Sequence, residues 1–180
     1  MNRTQLVNPA TDVQVDIAVE VGVWRGDFSF AMINSLKPEK FYGVDPYELF
    51  EGMVSAPGPD FRNQTSLDRL AETVANRFTN AGHELIRKKS VDAAKQFSDN
   101  SIDVVYIDGD HTYEGVKADI DAWWPKVKHS GILAGHDYCD GVTGLGYKYG
   151  VIQAVNEFAK LHHKEVTIST DAPASWRIIK

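Results

Sequence analysis

Cysteine is nearly absent from this sequence, with Cys139 alone among 180 residues. A single thiol excludes an internal disulfide framework, and a chain that folds without one points to a reducing compartment. Long apolar runs are missing too. No stretch approaches the roughly 20 apolar residues that cross a bilayer, and the opening Met1-Asn2-Arg3-Thr4-Gln5 lacks the apolar core of a secretion signal. The expected location is therefore cytoplasmic, with no membrane partner. Nor is there an excess of positive charge, since 19 Lys and Arg face 25 Asp and Glu for a net −6. Proteins that grip phosphates usually carry a basic patch. The densest basic stretches, Arg87-Lys88-Lys89 and Lys126 to Lys128, are short and lie near expected element ends. No nucleic-acid partner is expected.

What is present is a globular composition, 43% hydrophobic and 24% charged, long enough for one domain spanning 1–180 with a real core. Short apolar runs alternate with helical patterns. Strands are expected at Ile17 to Val21, Phe41 to Val44, Glu84 to Arg87, Ile102 to Ile107 and Gly131 to Ala134. Helices are expected over Phe28 to Leu36, along the face Leu67, Leu70, Ala71, Val74 and Phe78, and along Tyr113, Val116, Ile120 and Trp123. Another has Val151, Ile152, Val155, Phe158 and Ala159 inward. Gly82 and Pro125 punctuate two helix ends. Val166 to Ser169 and Trp176 to Ile179 read as a closing antiparallel hairpin. Two loops rich in glycine or proline, Pro46 to Thr65 and Tyr138 to Gly150, are expected to close over a ligand as a lid. The sum is an α/β, Rossmann-like, doubly wound sheet, mostly parallel with an antiparallel C-terminal hairpin. Ligands in such sheets bind outside the carboxyl ends of the strands.

The unusual residues follow those strand ends. Glu20-x-Gly22-x-x-x-Gly26 comes after the first strand, and the bulky Trp24 stands where a dinucleotide loop needs its second glycine. The loop therefore suits a ligand without phosphates. Glu20, an acid at the end of a buried strand, suits an ammonium group, and Asp45 after the second strand suits the two hydroxyls of a ribose. S-adenosylmethionine (SAM) has an ammonium, a ribose and no phosphate. Asp108, Asp110 and His111 follow the fourth strand, and His136 and Asp137 the fifth. Neighbouring strands lie about 4.8 Å apart, so these groups can converge on one ion, Mg²⁺ or another divalent metal. The plainer reading is that Asp108 and Asp110 cap the helix near Thr112, while His136 and Asp137 hold each other.

With Gly43-Val44-Asp45, Ser90-Val91-Asp92-Ala93-Ala94, Ile107-Asp108-Gly109-Asp110-His111 and Gly131 to Tyr138 in order, the chain resembles the class I SAM-dependent methyltransferases. In particular it resembles methyltransferase family 24, related to macrocin-type sugar O-methyltransferases. The resemblance covers Ile17 to Phe158. It implies that Glu20, Gly22 and Gly26 hold the methionine end of SAM, Asp45 the ribose, and Ser90 and Val91 the adenine, with Asp108 bordering the cofactor. It also implies a metal at Asp108, His136 and Asp137, and a base at Asp110 or His111. The expected activity is metal-assisted O-methylation of a small hydroxylated metabolite, such as one with a sugar-like group, by a chain that can also form homo-oligomers. Two other readings stand beside it: a metal-dependent hydrolase built on the Asp/His cluster, and a SAM-binding protein without transferase activity.

Overall fold

The computed structural model describes residues 1–9, 13–49, 63–142, 146 and 148–180. Seven strands form one sheet: β1 (Ile17–Val21), β2 (Lys40–Val44), β3 (Glu84–Ile86), β4 (Ile102–Ile107), β5 (Val127–Gly135), β6 (Thr167–Ile168) and β7 (Trp176–Ile179). Their order is β3-β2-β1-β4-β5-β7-β6. The first five run parallel, and β7 lies antiparallel to both β5 and β6. The helices are α1 (Arg3–Leu6), α2 (Asp27–Leu36), α3 (Gln64–Asn80), α4 (Ser90–Ala94), α5 (Tyr113–Trp123) and α6 (Val151–Leu161). A 3₁₀ turn, Trp124–Lys126, carries Pro125 and ends α5.

Strand β4 shows why the sheet is covered on both sides. Val104 and Tyr106 pack with Met32 of α2 and Phe78 of α3, while Val105 and Ile107 pack with Ile120 of α5 and Val155 of α6. A central parallel strand buried on both faces reads as a continuous apolar run. The starts of α3 and α5 follow side-chain caps: Asn63 accepts the N–H of Ser66 at 3.0 Å, and Thr112 that of Gly115 at 3.1 Å. Gly82, at φ 80°, reverses the chain after α3.

Several bounds differ from those read in the sequence. Because of the Asn63 cap, α3 begins inside the stretch expected as loop. The strand expected from Gly131 begins at Val127, and a register shift against β4 absorbs the extra residues. Lys128 joins Asp16 at 2.7 Å and Asp103 at 2.8 Å there, so its charge is spent within the fold. On α6, Ala154 is buried, whereas Ile152, expected inward, is half-buried. Of the two expected lid loops, residues 50–62, 143–145 and Tyr147 lie outside the described residues. No helix among the described residues is long and apolar enough to cross a membrane.

Candidate active site

Strand order reverses between β1 and β4, so the crevice lies above their carboxyl ends. The loop after β1 forms one wall. Gly22 has φ 86°, and a Cβ there would stand 2.1 Å from the carbonyl oxygen of Asp108. The residue must be glycine because the loop packs against the tip of β4. Gly26, at φ 77°, is the N-cap of α2 and supplies no side-chain cap to the helix. Trp24 is 47% exposed, its indole directed outward from the turn that the glycines permit.

Two acids support this wall. Glu20 is buried and stands opposite Tyr106 in the β1–β4 register. It accepts a short hydrogen bond from the hydroxyl of Ser29 in α2. Burial pushes its carboxyl up to about 8, opposed by the Ser29 bond, reinforced by Asp108 and eased by Arg3. A buried carboxyl with one hydroxyl partner is ready for an ammonium. Asp45 is placed differently from expectation. One of its oxygens accepts the N–H groups of Val23 and Trp24 at 3.0 Å each, and the other accepts that of Tyr47 at 2.8 Å. Burial raises its carboxyl, and these backbone bonds and Arg87 pull it back. Asp45 is thus a clamp on the glycine loop, with one lone-pair direction of about four left for a ribose hydroxyl. The Tyr47 hydroxyl closes the clamp by donating to the Trp24 carbonyl at 2.6 Å. Arg87 bonds the carbonyls of Pro46 and Tyr47 and the carboxylate of Asp68.

The opposite wall is made of strand tips. Ile107 pairs with Gly135, so Asp108 and His136 leave neighbouring strands side by side. His136 Nδ1 lies 3.6 Å from Asp108 and 3.3 Å from Asp137, and His111 Nε2 lies 3.4 Å from Asp137. One donor atom each from Asp108, His111 and Asp137 fall within 4.8 Å of one another. Burial pushes the Asp108 carboxyl up, against the pull of Arg3, His136 and His111. For Asp137, burial also pushes up, but the His136 bond and the nearby positive groups win and hold it below the usual carboxylate range. The two base candidates separate. Asp110 is exposed, accepts the N–H of Thr112 at 2.8 Å and lies against Gly115, so it serves the start of α5. His111 turns into the crevice.

Ser90, expected at the adenine, begins α4, and its hydroxyl accepts from the indole N–H of Trp123 at 2.9 Å. Val91 is 41% exposed. Asp119, not singled out in the sequence, is buried beneath Ser90. Burial raises its carboxyl to about 6, against the hydrogen bond with Ser90. Arg3 was also missed. Its guanidinium donates to Asp108 at 2.5 Å and lies 3.5 Å from the centroid of Phe28.

The buried, single-partnered carboxyl of Glu20 fits the ammonium of SAM. Asp108, His111 and Asp137 could hold a divalent metal with oxygen and imidazole donors, and imidazole favours Mn²⁺, Fe²⁺ or Zn²⁺ over Mg²⁺; His136 lies beside them, 3.6 Å from Asp108.

Known proteins share this chain's family and fold. A family described as a methyltransferase domain matches residues 19–138. The protein y4gI of Sinorhizobium fredii, itself uncharacterized, is 38% identical over 53 residues, which are 29% of this chain and 6% of that protein. Among solved structures, an O-methyltransferase family protein from Burkholderia thailandensis aligns with a TM-score of 0.62 at 12% identity, over 93% of this chain and 51% of that one. A protein from Streptococcus mutans in complex with SAH aligns with a TM-score of 0.60 at 15% identity, over 98% and 92%.

Proposed function

The chain belongs to the methyltransferase-domain family, and from that premise we propose that it transfers the methyl group of SAM to a hydroxyl of a small metabolite with the help of a divalent metal. The observation that carries the proposal is the convergence of Asp108, His111 and Asp137 at the tips of β4 and β5, across the crevice from Glu20 and the glycine loop. The same cluster could serve a hydrolase, but the family match favours transfer.

Bound SAM supplies an electrophilic methyl carbon, and a divalent cation between Asp108 and Asp137 would polarise the acceptor hydroxyl. The protein does the rest. Glu20 holds the ammonium, and Asp45 with Tyr47 keeps the glycine loop in shape. His111, with Nε2 toward Asp137, would take the acceptor's proton on its other ring nitrogen as the oxygen–carbon bond forms and the carbon–sulfur bond of the cofactor breaks. Asp137 orients that imidazole and stabilises it once charged. A base placed this way is worth roughly 10²–10⁴ in rate. A small acceptor is preferred to nucleic acid in this reading because the crevice carries acids, and Arg87 and Lys128, from the two basic stretches, are spent within the fold. The test is a panel of hydroxylated metabolites with methyl-labelled SAM, with and without chelator. Label should appear in small molecules, vanish with chelator and return with Mn²⁺ or Mg²⁺. Label only in RNA or protein would overturn the acceptor class, and full transfer in chelator would overturn the metal.

A further inference from the structure

The first helix does something its length does not advertise. Helix α1 has four residues, closed by a capping box in which Asn2 and Gln5 bond each other's backbone. It is fastened to the turn between β6 and β7. The N–H of Arg3 donates to the carboxylate of Asp171, and Thr170 donates its N–H to the Met1 carbonyl at 2.9 Å. Arg177 of β7 donates to the Leu6 carbonyl at 3.0 Å. This strap delivers the Arg3 side chain into the crevice.

There the guanidinium is held but not used up. It lies flat on Phe28, 3.5 Å from the ring centroid, with the Tyr106 ring centroid at 5.0 Å. One nitrogen pairs with Asp108, while Nε is buried without a hydrogen-bond partner. An unpartnered buried donor on a cation is costly and calls for an acceptor. Its neighbours say which. Phe28 adjoins Ser29, which bonds Glu20, and Glu20 stands opposite Tyr106 in the sheet. Arg3 is the cation whose charge reaches Glu20. An α-amino acid carries its ammonium and carboxylate on one carbon. A ligand that presents its ammonium to Glu20 therefore presents its carboxylate close by, where Arg3 waits.

We propose that Arg3 binds the carboxylate of the methionine portion of the cofactor, exchanging its Asp108 partner for the ligand and making α1 part of the cofactor site. The inference rests on the reading of Glu20 as the ammonium acceptor, and the test keeps the two apart. S-adenosylhomocysteine is titrated against its decarboxylated form, which keeps the amine and lacks the carboxylate, by calorimetry on the full chain. Wild type should prefer the intact ligand. Arg3→Met, which keeps the apolar stem on Phe28, should weaken S-adenosylhomocysteine by roughly ten- to hundredfold, the range of a charge-assisted bond. The decarboxylated ligand should change by less than about twofold. Arg3→Lys, which keeps the charge and loses the fork, should restore part of the preference and stands in if the methionine variant does not fold. Equal weakening of both ligands would mean a purely structural arginine. A wild type indifferent to the carboxylate, or an unchanged preference in Arg3→Met, would overturn the inference and leave the cofactor intact. Failure of both ligands to bind wild type would overturn both.

Discussion

The loop after β1 and the tips of β4 and β5 face each other across one crevice, yet they are held in opposite ways. The loop is finished by the backbone. Its N–H groups at Val23 and Trp24 are spent on Asp45, and its carbonyl at Trp24 on Tyr47. The side chains at the tips are held more loosely, with His111–Asp137, His136–Asp137 and His136–Asp108 pairs at 3.3–3.6 Å, mostly longer than good hydrogen bonds. A segment whose polar groups are satisfied behaves as scaffold. A cluster whose pairs are loose keeps donors and acceptors free for a ligand or a proton. The comparison assigns shape to one wall and chemistry to the other, and substitutions can break that division.

The largest effect is expected on the chemical wall. His111→Gln should lower turnover by roughly 10²–10⁴ and leave S-adenosylhomocysteine affinity within about threefold, measured by single-turnover transfer and calorimetry. If metal affinity falls along with turnover, His111 is a ligand and not the base. On the other wall the damage should be to stability. Gly22→Ala places a Cβ 2.1 Å from the Asp108 carbonyl oxygen at φ 86°. Left-handed strain and the clash together cost roughly 3 kcal/mol, or about 10 °C in Tm. A thermal melt within 2 or 3 degrees of wild type, on the order of 1 kcal/mol, would show that Gly22 does not pack on the end of β4 as described.

Asp119 sharpens the comparison through pH. Its folded carboxyl titrates near 6, above its ordinary value of 3.8. The native state therefore holds a proton that the unfolded chain releases, and stability from this group is full below about 3.8 and lost as pH rises through about 6. Asp119→Asn removes that loss, so at pH 8 the variant should gain about 2–3 kcal/mol relative to its difference from wild type at pH 4. Denaturant midpoints at the two pH values measure it, and parallel curves would refute it. The smallest effect is expected at Asp110. Asp110→Asn should cost about 1 kcal/mol as a weakened helix start and less than threefold in turnover, because that side chain serves Thr112 and not the crevice.

Much of this was legible in the sequence, and the rest failed for identifiable reasons. The strands β1, β2, β4 and β7 are apolar runs bounded by turn residues, so they lie within a residue of expectation. The antiparallel hairpin followed from a short turn. Helix α4 escaped notice because five residues give no periodicity. Asp45 was legible as an acid just after the second strand but not as a clamp, since its partners Val23 and Trp24 are 21 or 22 residues distant. The cluster at the strand tips was legible because parallel register places residues after β4 beside those after β5. That His111 and not Asp110 turns inward depends on the Asp110 bond to Thr112. Arg3 left no local trace. The Asn2 and Gln5 pair marks a helix start, but where its arginine lands depends on β7, at the other end of the sheet.

That last dependence sets an order of assembly. The clasp of Arg3 on Asp171 joins residues 168 apart, and contacts of such separation form after local ones because the intervening loop must close first. On the ribosome, at about 5–20 residues per second, α1 waits many seconds for the hairpin that anchors it. The clamp of Asp45 on the glycine loop has no such wait. The arginine is therefore among the last groups of the crevice whose anchoring partners, Asp171 and Arg177, leave the ribosome. Ligand that binds only the fastened form draws the final docking step forward by mass action.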